Sequence, residues 1–149
     1  MNKVISSIFF FIFLVTLTAS EVFACKCELP SASISIERHV KSAYNQYSAI
    51  FLGDVTEVIE EPGIYSLRVK FKISKTWKSE ISKEIFLSTG RGGGDCGYDF
   101  KVGKKYLVYA IREDNLSTGI CSRTALAEAN QDLAVLNKIK KPKIKSSPK

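Results

Sequence analysis

The sequence holds one histidine in 149 residues. That argues against a His-rich metal site, and no nucleophile–His–acid set surrounds His39. No Gly-Lys-Ser/Thr follows the glycine-rich stretch at 90–97, which excludes a phosphate-binding loop. No carboxylates stand in a spaced acid/base motif, and no internal repeat is present. Neither an enzyme nor a cofactor-binding protein is expected. No apolar run reaches the ~20 residues of a membrane-spanning helix; Val4 to Ala19 spans only sixteen, several of them hydroxylic. Four cysteines are too sparse for a zinc ribbon, because Cys96 and Cys121 stand 25 positions apart rather than as a close pair.

What is present describes an exported single domain. Apolar residues make up 45% and charged residues 25%, which excludes collagen-like and fully disordered chains. Residues 1–24 combine Lys3, an apolar run at 8–17 and the small-residue pattern Val22-Phe23-Ala24. They read as a signal peptide cleaved before Cys25. A lipoprotein anchored at Cys25 is the alternative, although Phe23 fits that motif poorly. The protein is therefore expected to be secreted or periplasmic, with no membrane span left after cleavage. The 125 residues from Cys25 onward keep a net charge of +7 and can bury one core.

All four cysteines lie in this part, and an oxidising compartment favours two disulfides. In an extended Cys25-Lys26-Cys27 the two cysteine side chains point to opposite faces. Each can then reach a different downstream partner, one Cys96 and the other Cys121.

Ser33 or Ser35 can cap a helix over 34–47 that places Ile36, Val40, Tyr44 and Tyr47 on one face. His39 sits beside that face as an ordinary helix residue. Strands are expected at 49–59, with a bend at Gly53, and at 65–73, where apolar residues alternate with Ser66, Arg68, Lys70 and Lys72. Further strands are expected at 84–89 and 105–111, the latter apolar on both faces, and a short one at 120–122. The glycines around Cys96 read as a mobile loop tethered by a disulfide, and Asn115-Leu116-Ser117 as a sequon on a turn. Residues 126–139 read as an amphipathic helix with Leu126, Ala129, Leu133 and Leu136 on its stripe. The Lys-rich segment 140–149 reads as a disordered tail. The fold expected is mainly β: a five-stranded OB-like closed barrel with an N-terminal and a C-terminal α-helix.

These segments carry a resemblance. Cys25-Lys26-Cys27, CGYDFKVGKKYLVYA (96–110) and CSRT (121–124) before a final helix resemble the netrin-like domain, in particular the N-terminal domain of tissue inhibitors of metalloproteinases. The resemblance covers nearly all of residues 25–137. It implies the pairing Cys25–Cys96 and Cys27–Cys121. It also implies inhibition of a zinc metalloprotease, with the α-amine and carbonyl of Cys25 chelating the target's zinc. Lys26 would then enter the target's specificity pocket, and Cys27, Glu28 and Leu29 would extend the contact. Gly94 and Asp95 would pack beside it. In the family the second mature residue is usually small and uncharged. Lys26 in that place points to a target with an acidic or open pocket. A one-domain form without the family's C-terminal domain is expected. Two other roles are consistent with the sequence. One is a non-inhibitory netrin-like binding module. The other is a binder of anionic surface polysaccharide through Arg68, Lys70, Lys72 and the Lys-rich tail; nucleic acid is not an expected partner of an exported chain.

Overall fold

The computed structural model describes residues 25–27, 33–62 and 67–139. The expected signal peptide, Glu28, Leu29, Tyr65 and the 140–149 tail lie outside the described residues. The order is α1 (Ile36–Gln46), β1 (Ala49–Glu60), β2 (Leu67–Lys78), β3 (Glu84–Thr89), β4 (Lys105–Arg112), β5 (Leu116–Ser117), β6 (Ala125–Leu126) and α2 (Asp132–Leu136). The molecule is mainly β. Five strands close a barrel in the order β1-β2-β3-β5-β4, and β4 pairs back onto β1. A single parallel bridge, Ser88 to Ser117, joins β3 to β5. β6 adds to β4 through Leu107–Ala125 and Tyr106–Leu126.

β1 serves two neighbours because it bends. Its pairing with β2 shifts register at Ile50/Phe51, Leu52/Gly53 and Val55/Glu57. At Gly53 a Cβ would lie 3.1 Å from the Lys72 carbonyl oxygen, so the close strand approach there favours glycine.

The alternation along β1 and β4 divides the apolar residues between two cores. Ala49, Phe51 and Val55 join Tyr106, Val108 and Ala110 inside the barrel, with Val69, Phe71, Leu87 and Phe100. Edge-to-face contacts link Phe51 to Phe71 at 5.5 Å and Phe71 to Phe100 at 5.2 Å. Ile50, Leu107 and Tyr109 face the other way, onto Val40, Ala43, Trp77 and Leu136 beneath the helices. This is why β4 is apolar on both faces.

Ser35 is the cap of α1, its Oγ accepting from the Arg38 N–H at 3.4 Å. β2 runs on to Lys78, past the expected end at Ile73. Trp77 there packs under the helices, and its indole N–H donates to Asn137 Oδ1 at 3.2 Å.

Two expectations are corrected. Residues 126–139 do not form one helix: a 3-10 turn at Ala127–Ala129 precedes the short α2. Asn130 breaks it. Its backbone is extended, and its Oδ1 accepts from the Asp132 N–H at 2.9 Å. An Asn side chain thus replaces the helical backbone partner. Leu126 consequently stands on β6, 45% exposed, rather than on a buried stripe. Residues 120–122 form a turn and not a strand, closed by Ser122 N–H donating to the Gly119 carbonyl at 3.1 Å. The short strands flank it at 116–117 and 125–126.

Candidate functional site

The three residues Cys25-Lys26-Cys27 form a ridge clamped at both ends. Cys25 is bonded to Cys96 and Cys27 to Cys121, with Cα–Cα distances of 5.4 and 5.0 Å. This is the pairing that the resemblance implies. Lys26, between them, is exposed, while both cysteines are half-buried. Each bridge closes a long loop, with sequence separations of 71 and 94. In the chain-entropy picture each stabilises the fold by on the order of 4 kcal/mol.

The loop before Cys96 lies against the ridge: Cys25 Sγ is 3.5 Å from the Gly94 carbonyl oxygen. Asp95 organises this loop. Its carboxylate accepts from the N–H groups of Arg91 at 2.7 Å, Gly92 at 2.9 Å and Gly97 at 3.0 Å. Those N–H groups, Gly97's foremost, hold the carboxyl below the ordinary aspartate range. Glycine is required where the two limbs of the loop touch. A Cβ on Gly97 would lie 2.0 Å from the Gly90 carbonyl carbon, and one on Gly90 would lie 2.5 Å from the Asp95 carboxyl. Cys96 itself has a positive φ of 58°. The expected mobile tether is therefore a loop folded around one carboxylate.

Cys96 is also tied to the second bridge. Its carbonyl accepts from the Ile120 N–H at 2.9 Å, and Gly119 leaves room for that approach, since a Cβ there would come within 2.4 Å of the same oxygen. Below Cys121 a buried polar network holds the turn. Thr118 Oγ1 donates to the Tyr109 carbonyl at 2.8 Å, and Thr124 Oγ1 accepts from the Tyr109 N–H at 3.0 Å. Asp132, 3% exposed, accepts from Arg123 Nε at 2.7 Å and Nη2 at 2.6 Å, and from the Tyr109 hydroxyl at 2.9 Å. Burial, reinforced by Asp132, pushes the Tyr109 hydroxyl well above the ordinary tyrosine range. The hydrogen bonds that Arg123 donates to Asp132 raise the guanidinium above its ordinary range. Burial also raises Tyr47, which stacks edge-on to Tyr109 at 5.5 Å.

Arg68 pairs with Glu61 at 3.1 Å and Lys70 with Glu84 at 3.0 Å, so the basic face of β2 is interleaved with acid. His39 is half-buried on α1. Among the described residues no group of three or more His, Cys, Asp or Glu is placed to hold a metal ion, and no helix is long and apolar enough to cross a membrane. The two disulfides fit an oxidising location. Sequence reasoning missed the Arg123–Asp132–Tyr109 network. The only trace was the Arg of CSRT and Asp132, an acid inside the expected 126–139 helix. The sequence matches no family model and no curated protein.

Proposed function

We propose that removal of residues 1–24 makes this chain a secreted or periplasmic inhibitor of zinc metalloproteases, built on an OB-like, netrin-like domain. The observation that carries the reading is the double clamp. Two disulfides bind a three-residue ridge to the barrel, with Lys26 exposed between them. Cleavage before Cys25 puts an α-amine at the tip of that ridge. An α-amine titrates near 8, so it deprotonates readily beside a zinc ion. Amine and carbonyl of Cys25 together chelate the target's zinc and displace its water. Without that water the protease has no nucleophile. The clamp also leaves little conformational entropy to lose on binding.

Lys26 defines the target. Burying its ammonium in an apolar pocket costs several kcal/mol, so the protease that fits has an acidic or open pocket beside its zinc. A polyanion-binding role draws less support, because Arg68 and Lys70 are already paired with Glu61 and Glu84.

The test is residual activity of a panel of zinc proteases against the mature protein, a form with one extra N-terminal Ala, and Lys26→Thr. The extra residue moves the amine off the metal and abolishes inhibition without disturbing the stapled fold. Lys26→Thr weakens inhibition of proteases with acidic pockets and strengthens it for those with apolar ones. Equal inhibition by the Ala-extended form, or none by any form, overturns the proposal.

A further inference from the structure

On the barrel, Arg68, Lys70, Arg91, Lys101 and Lys105 each meet a carboxylate within 3.5 Å. The seam between α1 and α2 differs. Lys78 Nζ donates to the carbonyls of Tyr44 at 2.6 Å and Asn45 at 3.2 Å. Lys75 Nζ donates to Asn137 Oδ1 at 2.6 Å. These acceptors are neutral, so they leave both ammonium charges uncancelled. Lys41 pairs with Glu37 at 2.8 Å. The Lys41 hydrogen bond, with the more distant Lys138 charge, holds the Glu37 carboxyl below the ordinary glutamate range.

These groups gather at a cleft of about 430 Å³. Lys41 and Lys138 line it, Lys78 is bonded to the backbone of two lining residues, and Lys75 is bonded to the neighbour of Lys138. Glu37 is the only carboxylate in the lining. Four ammonium groups thus meet one carboxylate. The floor is apolar: Tyr44, Val135 and Ile139, half-buried, pack on the core beneath the helices. From Ile139 the sequence continues into 140–149 with five more Lys and no acid.

Ammonium groups over an apolar floor complement an anionic amphiphile. Its headgroup oxygens meet the lysines, and its acyl carbons meet the floor. A soluble polyanion matches the charge but has nothing to cover Val135 and Ile139. We infer that this seam docks the mature protein on a membrane surface that carries anionic phospholipid. The cleft shares no lining residue with the one that reaches Cys27 and Cys121, so docking leaves the ridge accessible. The inference stands apart from the inhibitory reading.

The experiment is co-sedimentation of the mature protein with vesicles of phosphatidylcholine, alone or mixed with phosphatidylglycerol. Wild type should bind only the mixed vesicles, and added salt should weaken the binding. A basic side chain near an anionic lipid surface contributes roughly fivefold to partitioning. Lys41→Gln/Lys138→Gln should therefore weaken binding at least about tenfold. The control Lys83→Gln/Lys104→Gln removes the same charge at exposed positions outside the cleft and should change it far less. Ile139→Asn keeps the charge and should weaken vesicle binding at least about threefold, with dextran sulfate binding unchanged. If that variant loses its melting transition, Val135→Thr takes its place with the same expectation. Equal losses in the two lysine pairs would mean that net charge alone drives binding, which overturns the seam. Vesicle binding indifferent to the floor variant, with dextran sulfate binding that needs Lys41 and Lys138, makes the seam a polyanion site and overturns it too. So does equal binding to both kinds of vesicle, or to neither.

Discussion

Replacing Asp132 by Ala should be among the most damaging single changes in the chain. Asp132 is 3% exposed, and its two oxygens receive three hydrogen bonds, two from Arg123 and one from the Tyr109 hydroxyl. Removing the carboxylate leaves a guanidinium and a phenol with no acceptor in their place. Breaking one side of a buried ion pair costs about 3–5 kcal/mol. The Arg123 side chain keeps 26% exposure, so water recovers part of this, which puts the cost near the lower end, about 3 kcal/mol. For a domain of this size that lowers the melting temperature by roughly 10 °C. The assay is thermal unfolding by circular dichroism with both disulfides intact. The same reasoning requires strong non-additivity. Once Asp132 is gone, adding Arg123→Met and Tyr109→Phe removes the stranded groups, and the triple variant should regain most of the loss. A drop of less than about 3 °C for Asp132→Ala, or simple addition of the three effects, would refute the argument.

Gly97→Ala should destabilise by about 3 kcal/mol, read as a lowered urea midpoint, because its Cβ would meet the Gly90 carbonyl carbon at 2.0 Å and the backbone must move. An unchanged midpoint would show that the two limbs of the loop do not touch. Asp95 gives a pH dependence of known sign. Its folded pKa is depressed by the N–H groups of Gly97, Arg91 and Gly92, so its contribution is present above the unfolded value near 4 and disappears as pH falls through the folded one. Amide exchange at Arg91, Gly92 and Gly97, corrected for intrinsic rates, should accelerate below about pH 4, and Asp95→Asn should show the acceleration already at pH 6. Protection that is indifferent to both changes would mean that the carboxylate does not organise the loop.

The barrel was legible where a residue's neighbours in sequence decide its face. The alternation at Val69, Phe71 and Ile73 marks β2, and the double-sided apolar run at 106–110 anticipates a strand between two cores. Legibility failed where a distant or side-chain hydrogen bond wins over local propensity. Residues 126–139 have helical spacing, yet the Asn130 side chain accepts from the Asp132 N–H and interrupts the helix, and Asp132 is buried in an ion pair with Arg123. β2 outlasts its alternation because Trp77 finds Asn137, sixty residues on. In the site, the cysteines announce the ridge, but nothing local in 90–97 says that one carboxylate gathers three N–H groups. The extent of the Asp95 loop depends on contacts between Gly90 and Gly97 that only the fold creates.

The whole functional account passes through the amine that cleavage creates on Cys25. The most direct test is intact-mass analysis of the exported protein, non-reduced and reduced, with selective labelling of its α-amine near neutral pH. The account predicts the mass of residues 25–149, four hydrogens heavier after reduction, and one label placed on Cys25. A mass that retains residues 1–24, or a Cys25 carrying an acyl group that blocks the label, would contradict zinc chelation by this ridge.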